Sequence, residues 1–279
     1  MTEEPTVTYT TSSGAVFGFD AEHALMVSDD ERSWEFSTDP AAPVLEPRTL
    51  DARLAYVGGG MREECARLLA LAFGDLESGT PGTYRVGDWS IGCYLLKGEA
   101  YSSMTGWAGW KVKLYAPDPV WRRETSVSLL PASGRGVSGE VLDHPHDYPH
   151  DYGVSTLVGA DILVPGHLPC DLRIRFFGYA VAPYVRIAGN TYQVNVTVPD
   201  GGHLTVDPLR KSSMAGDSVV LTGPYGETQD VFSKRLRGAE GSGSYIFQRV
   251  PPGVQQVTWP QSFGVDLTVI ERMAGLPWT

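Results

Sequence analysis

Cysteine is scarce in this chain. Cys65, Cys93 and Cys170 are the only three among 279 residues. They are too few and too scattered for a disulfide framework or a Cys-rich zinc site. Positive charge is also short, with 22 Lys+Arg against 33 Asp+Glu, a formal net charge of −11 and a pI near 5.0. That balance lacks the basic footprint of a protein that grips phosphates, so it argues against nucleic-acid binding. No stretch approaches the ~18 consecutive apolar residues of a membrane-spanning helix. The start, Met1-Thr2-Glu3-Glu4, has no basic segment followed by an apolar run, so no secretory signal is read there. These absences predict a chain made and folded in a cytoplasm, without insertion into a membrane.

Catalytic signatures are missing as well. The sequence has no Gly-x-Ser-x-Gly elbow, no phosphate loop of the Gly-x-x-x-x-Gly-Lys-Ser/Thr type and no His-Glu-x-x-His helix. Paired carboxylates of a glycosidase need a separation of roughly 5–10 Å across a cleft, and no carboxylate here has a recognisable catalytic context.

What is abundant is glycine, with 32 residues, and proline, with 20. Turn residues between short apolar runs predict a β-rich architecture with many reversals. Strand pieces are expected at Ala15-Val16-Phe17-Gly18-Phe19 and Ser33-Trp34-Glu35-Phe36, and a full strand over 48–56, ending at Gly58-Gly59-Gly60. One helix stands out over 61–73. Cys65, Leu68, Leu69 and Ala72 recur at i, i+3, i+4 and i+7, and Gly74 is placed to stop it. Cys65 on that stripe reads as a packed core thiol. From Tyr84 to Tyr115 the pattern is of strands, and Trp110, Val112 and Leu114 share one face while Lys111 and Lys113 take the other. Ala116-Pro117-Asp118-Pro119 cannot continue a ladder.

A turn-rich segment, 130–139, precedes the run Asp143-His144-Pro145-His146-Asp147-Tyr148-Pro149-His150-Asp151-Tyr152-Gly153. His144, His146, His150, Asp147 and Asp151 are metal-ligating types. The prolines impose an extended chain whose neighbouring side chains diverge, so an aromatic- and proline-anchored crossover is the better reading. A domain boundary is expected here, dividing 1–140 from 141–279. The second part alternates throughout. Cys170, Leu172, Ile174 and Phe176 form one apolar row; Tyr192, Val194, Val196 and Val198 a second; Val265, Leu267 and Val269 a third. Asp200-Gly201-Gly202 predicts a tight hairpin turn before His203-Leu204-Thr205-Val206. The pattern predicts an antiparallel β-sandwich. Lys234-Arg235-Leu236-Arg237 reads as a solvated loop or a subunit contact, and the seven tryptophans read as sheet-core aromatics.

Five separated stretches occur in an order that resembles a known family. They are Arg48-Thr49-Leu50-Asp51 with the helix after it; Trp110 through Asp118-Pro119; Tyr148-Pro149-His150-Asp151-Tyr152-Gly153; Pro183 through Gly189; and Ile270-Glu271-Arg272 through Pro277-Trp278. Together they resemble the distal tail protein (Dit) family of long, non-contractile-tailed bacteriophages. His150 departs from the pattern, standing where that family has an aromatic, and Pro145-His146-Asp147-Tyr148 looks like a local duplication.

The resemblance implies a non-enzymatic virion protein of the tail tip, without cofactor or bound metal. It implies an N-terminal β-rich ring domain with one helix, followed by a C-terminal galectin-like antiparallel β-sandwich. Six subunits form the ring, which joins the tail tube protein to the tail-tip hub protein, and the sandwiches hold receptor-binding or peripheral baseplate proteins. DNA passes through the channel without specific binding. Trp110, Val112, Leu114, Asp118, Pro119, Tyr148, Pro149, Asp151 and Tyr152 are the motif and interface candidates. Six copies at −11 each carry a formal −66, a balance that repels DNA on average. The competing reading is a stand-alone carbohydrate-binding or glycoside-cleaving β-sandwich, which has no need of a helix-bearing ring domain.

Overall fold

The computed structural model describes residues 7–19, 24–28, 30–37, 45–57, 61–104, 107–131, 158–210 and 217–277. The chain divides into two compact units, one of residues 1–123 with 272–279, the other of residues 124–271. The expected boundary at 140/141 lies outside the described residues. The chain's last residues belong to the first unit.

Unit 1 contains β1 (Val7–Thr10), β2 (Val16–Phe19), β3 (Ala24–Ser28), β4 (Arg48–Val57), α1 (Met61–Ser78), β5 (Gly82–Val86), β6 (Trp89–Met104), β7 (Trp107–Ala116) and the start of β8 (Trp121–Leu129). All its strand pairs are antiparallel, in the orders β2–β1–β5–β6 and β3–β4–β7–β6. Ser33–Phe36 is not a strand. Only Phe36 makes an isolated bridge, to Leu45.

The helix outruns its predicted end. It continues to Ser78 and stops at Gly79, whose φ of +66° suits the left-handed helix terminus. Gly74 sits inside it. A mid-helix glycine costs about 1 kcal/mol, and Asp75 beyond it makes core contacts that require another turn. Asp75 is 1% exposed. Its Oδ2 accepts the Tyr9 hydroxyl at 3.0 Å, and its Oδ1 accepts the Ser12 N–H at 2.8 Å and the Ser12 hydroxyl at 2.6 Å. Tyr9 lies opposite Tyr84 across β1 and β5, and the Tyr84 hydroxyl donates to buried Glu31 at 2.5 Å. Burial, reinforced by these carboxylates and Cys93, raises both phenols far above their usual pKa.

Unit 2 contains the rest of β8, then β9 (Val158–Val164), β10 (Asp171–Phe177), β11 (Ala180–Val181), β12 (Tyr184–Ile187), β13 (Asn190–Gln193), β14 (Thr197–Val198), β15 (His203–Val206), β16 (Val219–Thr222), β17 (Thr228–Asp230), β18 (Gly253–Trp259) and all but the last two residues of β19 (Gly264–Met273). One sheet runs β17–β16–β15–β10–β19–β8 and another β13–β12–β18–β9, with β11–β14 as a two-stranded addition. A core of buried residues that includes Ile174, Phe176, Leu204 and Leu267 from the first sheet and Ile187, Tyr192, Val257 and Trp259 from the second makes this the expected antiparallel sandwich.

Two local expectations fail here. The row from Tyr192 to Val198 is not one strand, because the chain leaves the ladder at Asn195 and Val196 and Val198 pairs with Ala180 instead. Burial still alternates through the break, which is why the sequence looked continuous. Asp200-Gly201-Gly202 does form a tight turn, with the Gly202 N–H donating to the Pro199 carbonyl at 3.0 Å. It is not a hairpin, since β14 pairs with β11 and β15 with β10 and β16. In the basic cluster, the Arg235 guanidinium lies 3.6 Å from the Phe232 ring centroid.

Removing the Asp75 carboxylate leaves the buried Tyr9 hydroxyl only the Cys93 carbonyl at 3.5 Å and unties the exposed Ser12 from the helix. Asp75→Ala is expected to lower the unfolding free energy by about 3 kcal/mol and Tyr9→Phe by about 1 kcal/mol. Urea denaturation of both variants checks the order; equal losses would remove Asp75 from its central place.

Candidate functional site

The sheet β3–β4–β7–β6 has two unlike faces. On the inner face Leu50 opposes Leu114 and Ala52 opposes Val112, all buried. Val112 and Leu114 are thus covered by the chain's own core. Trp110 is half-buried at the end of this row, with its ring edge-on to Tyr56 at a centroid distance of 6.3 Å. Pro119 is buried, whereas Asp118 is exposed and ion-paired with Arg122. Tyr148, Pro149, Asp151 and Tyr152 lie outside the described residues, as do His144, His146, His150 and Asp147. Among the described residues, no group of three or more His, Cys, Asp or Glu could hold a metal ion. No helix among them is long and apolar enough to cross a membrane.

The outer face is charged. Arg53 opposes Lys111, Asp51 opposes Lys113, and on the other side of β7 Lys97 opposes Lys113 and Glu99 opposes Lys111. Four cations against two carboxylates make this face cationic within an acidic chain. Lys113 pairs with Asp51 at 3.4 Å and Lys97 with Glu99 at 3.1 Å, and Lys97 holds the Glu99 carboxyl below its usual pKa. All six residues are exposed, so these pairs add little stability. They do allow the face to attract anionic groups.

The helix also shows two faces, and the expected one was misdrawn. Cys65, Leu68, Ala72 and Asp75 point inward; burial raises the Cys65 thiol pKa, as it does for Cys93, pushed up to about 12. Leu69 is not on that face. With Ala66, Ala70, Phe73 and Leu76 it forms an exposed apolar stripe, where Phe73 is 59% and Leu69 39% exposed. A helix apolar on both sides is normally covered on both sides. The spacing from Leu69 to Phe73 and Leu76 is the sequence signal for this second stripe, hidden because Leu69 also fits the first.

The architecture belongs to the class of mainly β proteins, with a helix-bearing antiparallel β unit and an antiparallel sandwich. Within that class the chain has the fold of the phage distal tail proteins. It is similar to the crystal structure of the Dit protein (gp 19.1) of phage SPP1, with 12% identity, a TM-score of 0.51, and coverage of 96% of this chain and 99% of that one. It is also similar to a chain of the phage p2 baseplate in its activated conformation with Sr, with 10% identity, a TM-score of 0.58, and coverage of 98% and 100%. The same baseplate with Ca gives 10% identity and a TM-score of 0.56. No family model matches the chain, and no curated protein matches it by sequence.

The two helix faces should respond differently to truncation. Leu68→Ala, fully buried, is expected to cost about 3 kcal/mol. Phe73→Ser is expected to stay within about 1 kcal/mol in the isolated chain. Paired denaturation curves check this, and a large loss for Phe73→Ser would place that ring in the core.

Proposed function

We propose that this chain is a structural protein of a bacteriophage tail tip, a distal tail protein that works by assembly and not by catalysis. The observation that carries this reading is the shared fold, which extends over 96–98% of this chain and nearly all of each matched chain. In this reading six copies form a ring that joins the tail tube protein above to the tail-tip hub protein below. DNA crosses its channel without sequence-specific contact. The sandwich serves as an attachment platform for receptor-binding or other peripheral baseplate proteins, and the protein resides in the virion after assembly in the host cytoplasm.

A closed ring uses a heterologous contact, in which one patch meets a different patch on the next subunit. The outer stripe of α1 supports this, because it is an apolar patch that the described residues of unit 1 leave exposed. Trp34, 59% exposed, and Phe36, 49% exposed, form a second apolar surface on the same unit. The two patches have compatible chemistry and lie on different elements, as a head-to-tail contact requires.

Light scattering of the purified chain is expected to show a hexamer of about 180 kDa, six times 30.3 kDa, with six-fold rings in negative stain. Combining Leu69→Ser with Phe73→Ser should shift the population towards the 30.3 kDa monomer. A chain that stays monomeric even when mixed with its tail tube protein would refute the ring.

A further inference from the structure

The outer face of the larger sandwich sheet carries an open trough of about 530 Å³, within the size range of small-molecule sites. The sheet register builds it. β8, β19, β10 and β15 lie side by side, and residues alternating with the buried core rows point out of the sheet. One cross-strand row is Ser128, Asp266, Arg175 and Thr205, with Arg175 in register with both Asp266 and Thr205. The Ser128 hydroxyl donates to Asp266 Oδ1 at 2.6 Å. In the adjacent row the Ser126 and Thr268 hydroxyls are 2.9 Å apart, and Thr268 is in register with Arg173.

The two arginines differ in a way that defines the ligand. Arg173 is engaged through all three of its nitrogens. It donates through both terminal nitrogens to Glu124, at 2.9 and 3.2 Å, and through Nε to Asp207 at 3.1 Å. Arg175, one pleat along the same strand, is exposed and has no hydrogen-bond or ion-pair partner among the described residues. Its planar fork is therefore free for a carboxylate or phosphate. Around it stand hydroxyls and one carboxylate, groups that exchange hydrogen bonds with ligand hydroxyls.

His203 lines the trough, and beside it, outside the lining, stand Phe177 and Gly264. The half-buried Phe177 ring lies over Gly264, where any Cβ would collide with it, and His203 is in register on its other side. Burial, with Arg175 nearby, holds His203 below its usual pKa, so near neutral pH its imidazole both donates and accepts. Val127 adds an apolar side chain to the lining. Three carboxylates, Glu124, Asp207 and Asp266, surround two arginines, which disfavours a densely charged polyanion.

We propose that this trough binds a polyhydroxylated ligand with sparse anionic groups, an acidic glycan or polyol chain, with Arg175 taking the carboxylate or phosphate and the Ser126–Ser128–Asp266–Thr268 group taking the hydroxyls. The site stands on unit 2 alone and does not depend on the tail-tip reading. A lone anion satisfies Arg175 but leaves the hydroxyl rows unused. A neutral sugar does the reverse.

The test is calorimetric titration of the full chain with four probes: a hyaluronan oligosaccharide, which has a carboxylate on every second sugar, a malto-oligosaccharide carrying a single terminal phosphate, a neutral malto-oligosaccharide of equal length, and inorganic phosphate. At least one of the first two is expected to bind with a millimolar or tighter Kd, and about tenfold better than the neutral oligosaccharide or phosphate. Arg175→Gln should weaken that binding about tenfold and Arg175→Lys less, with thermal melting unchanged. Asp266→Asn should weaken it by a smaller factor. Binding of the hyaluronan oligosaccharide alone assigns the anionic group as a carboxylate, and of the phosphorylated malto-oligosaccharide alone as a phosphate; either supports the site. Equal binding of the neutral oligosaccharide, equal binding of inorganic phosphate, affinity unaltered in Arg175→Gln, or no binding of either acidic probe at about 10 mM would each overturn it.

Discussion

Two tyrosine hydroxyls donating to two buried carboxylates hold unit 1 together. Tyr9 and Tyr84 face each other across neighbouring strands, both fully buried. Tyr9 reaches Asp75 on the helix, and Tyr84 reaches Glu31 in the turn after β3. A buried carboxylate is tolerated only when its oxygens are supplied with donors, and these phenols supply them. The result is directional. Apolar packing alone would let the helix slide or rotate on the sheet, whereas the Asp75 contacts fix which side of α1 faces inward. Everything the helix exposes follows from that choice.

The surfaces that remain have three different chemistries. The outer stripe of α1 is apolar, the outer face of β4–β7–β6 is a cationic lattice, and the outer sandwich face is a polar trough with one free arginine. Exposed apolar groups cost solvation free energy, so a contiguous set along one helix implies a partner that removes them from water. The charged face needs no such cover. Its pairs are solvated and weakly held, and it keeps one side of the sheet soluble while the other packs. The net charge of −11 thus hides a local reversal of sign that composition could not reveal.

Identity of 10–12% with the two phage proteins goes with agreement in fold across almost the whole chain. Packed cores accept wide exchange of apolar residues when pattern and volume are kept. The alternating rows of β7, β10 and β19 are a pattern of that kind. Surface chemistry is not conserved by the same rule, because no core constraint acts on it. A shared fold therefore leaves the trough around Arg175 to be argued from its own residues.

The sequence by itself determined the class of fold, the helix and the burial alternation of the main strands, because period and turn chemistry are local properties. Val112, Leu114, Ile174 and Leu267 were legible as inward-facing for that reason. It did not determine the end of the helix, since Gly74 looks like a stop until the buried Asp75 is seen bonded to Tyr9 and Ser12. Nor did it separate Leu69 from Leu68, which fit one stripe equally well until the helix is fixed in rotation. The break at Asn195 was invisible because burial alternates through it while the ladder partner changes. The trough was invisible for a stronger reason. Ser128, Arg175, Thr205 and Asp266 are far apart in the chain, and only strand order and register, set by non-local hydrogen bonds, bring them into one row.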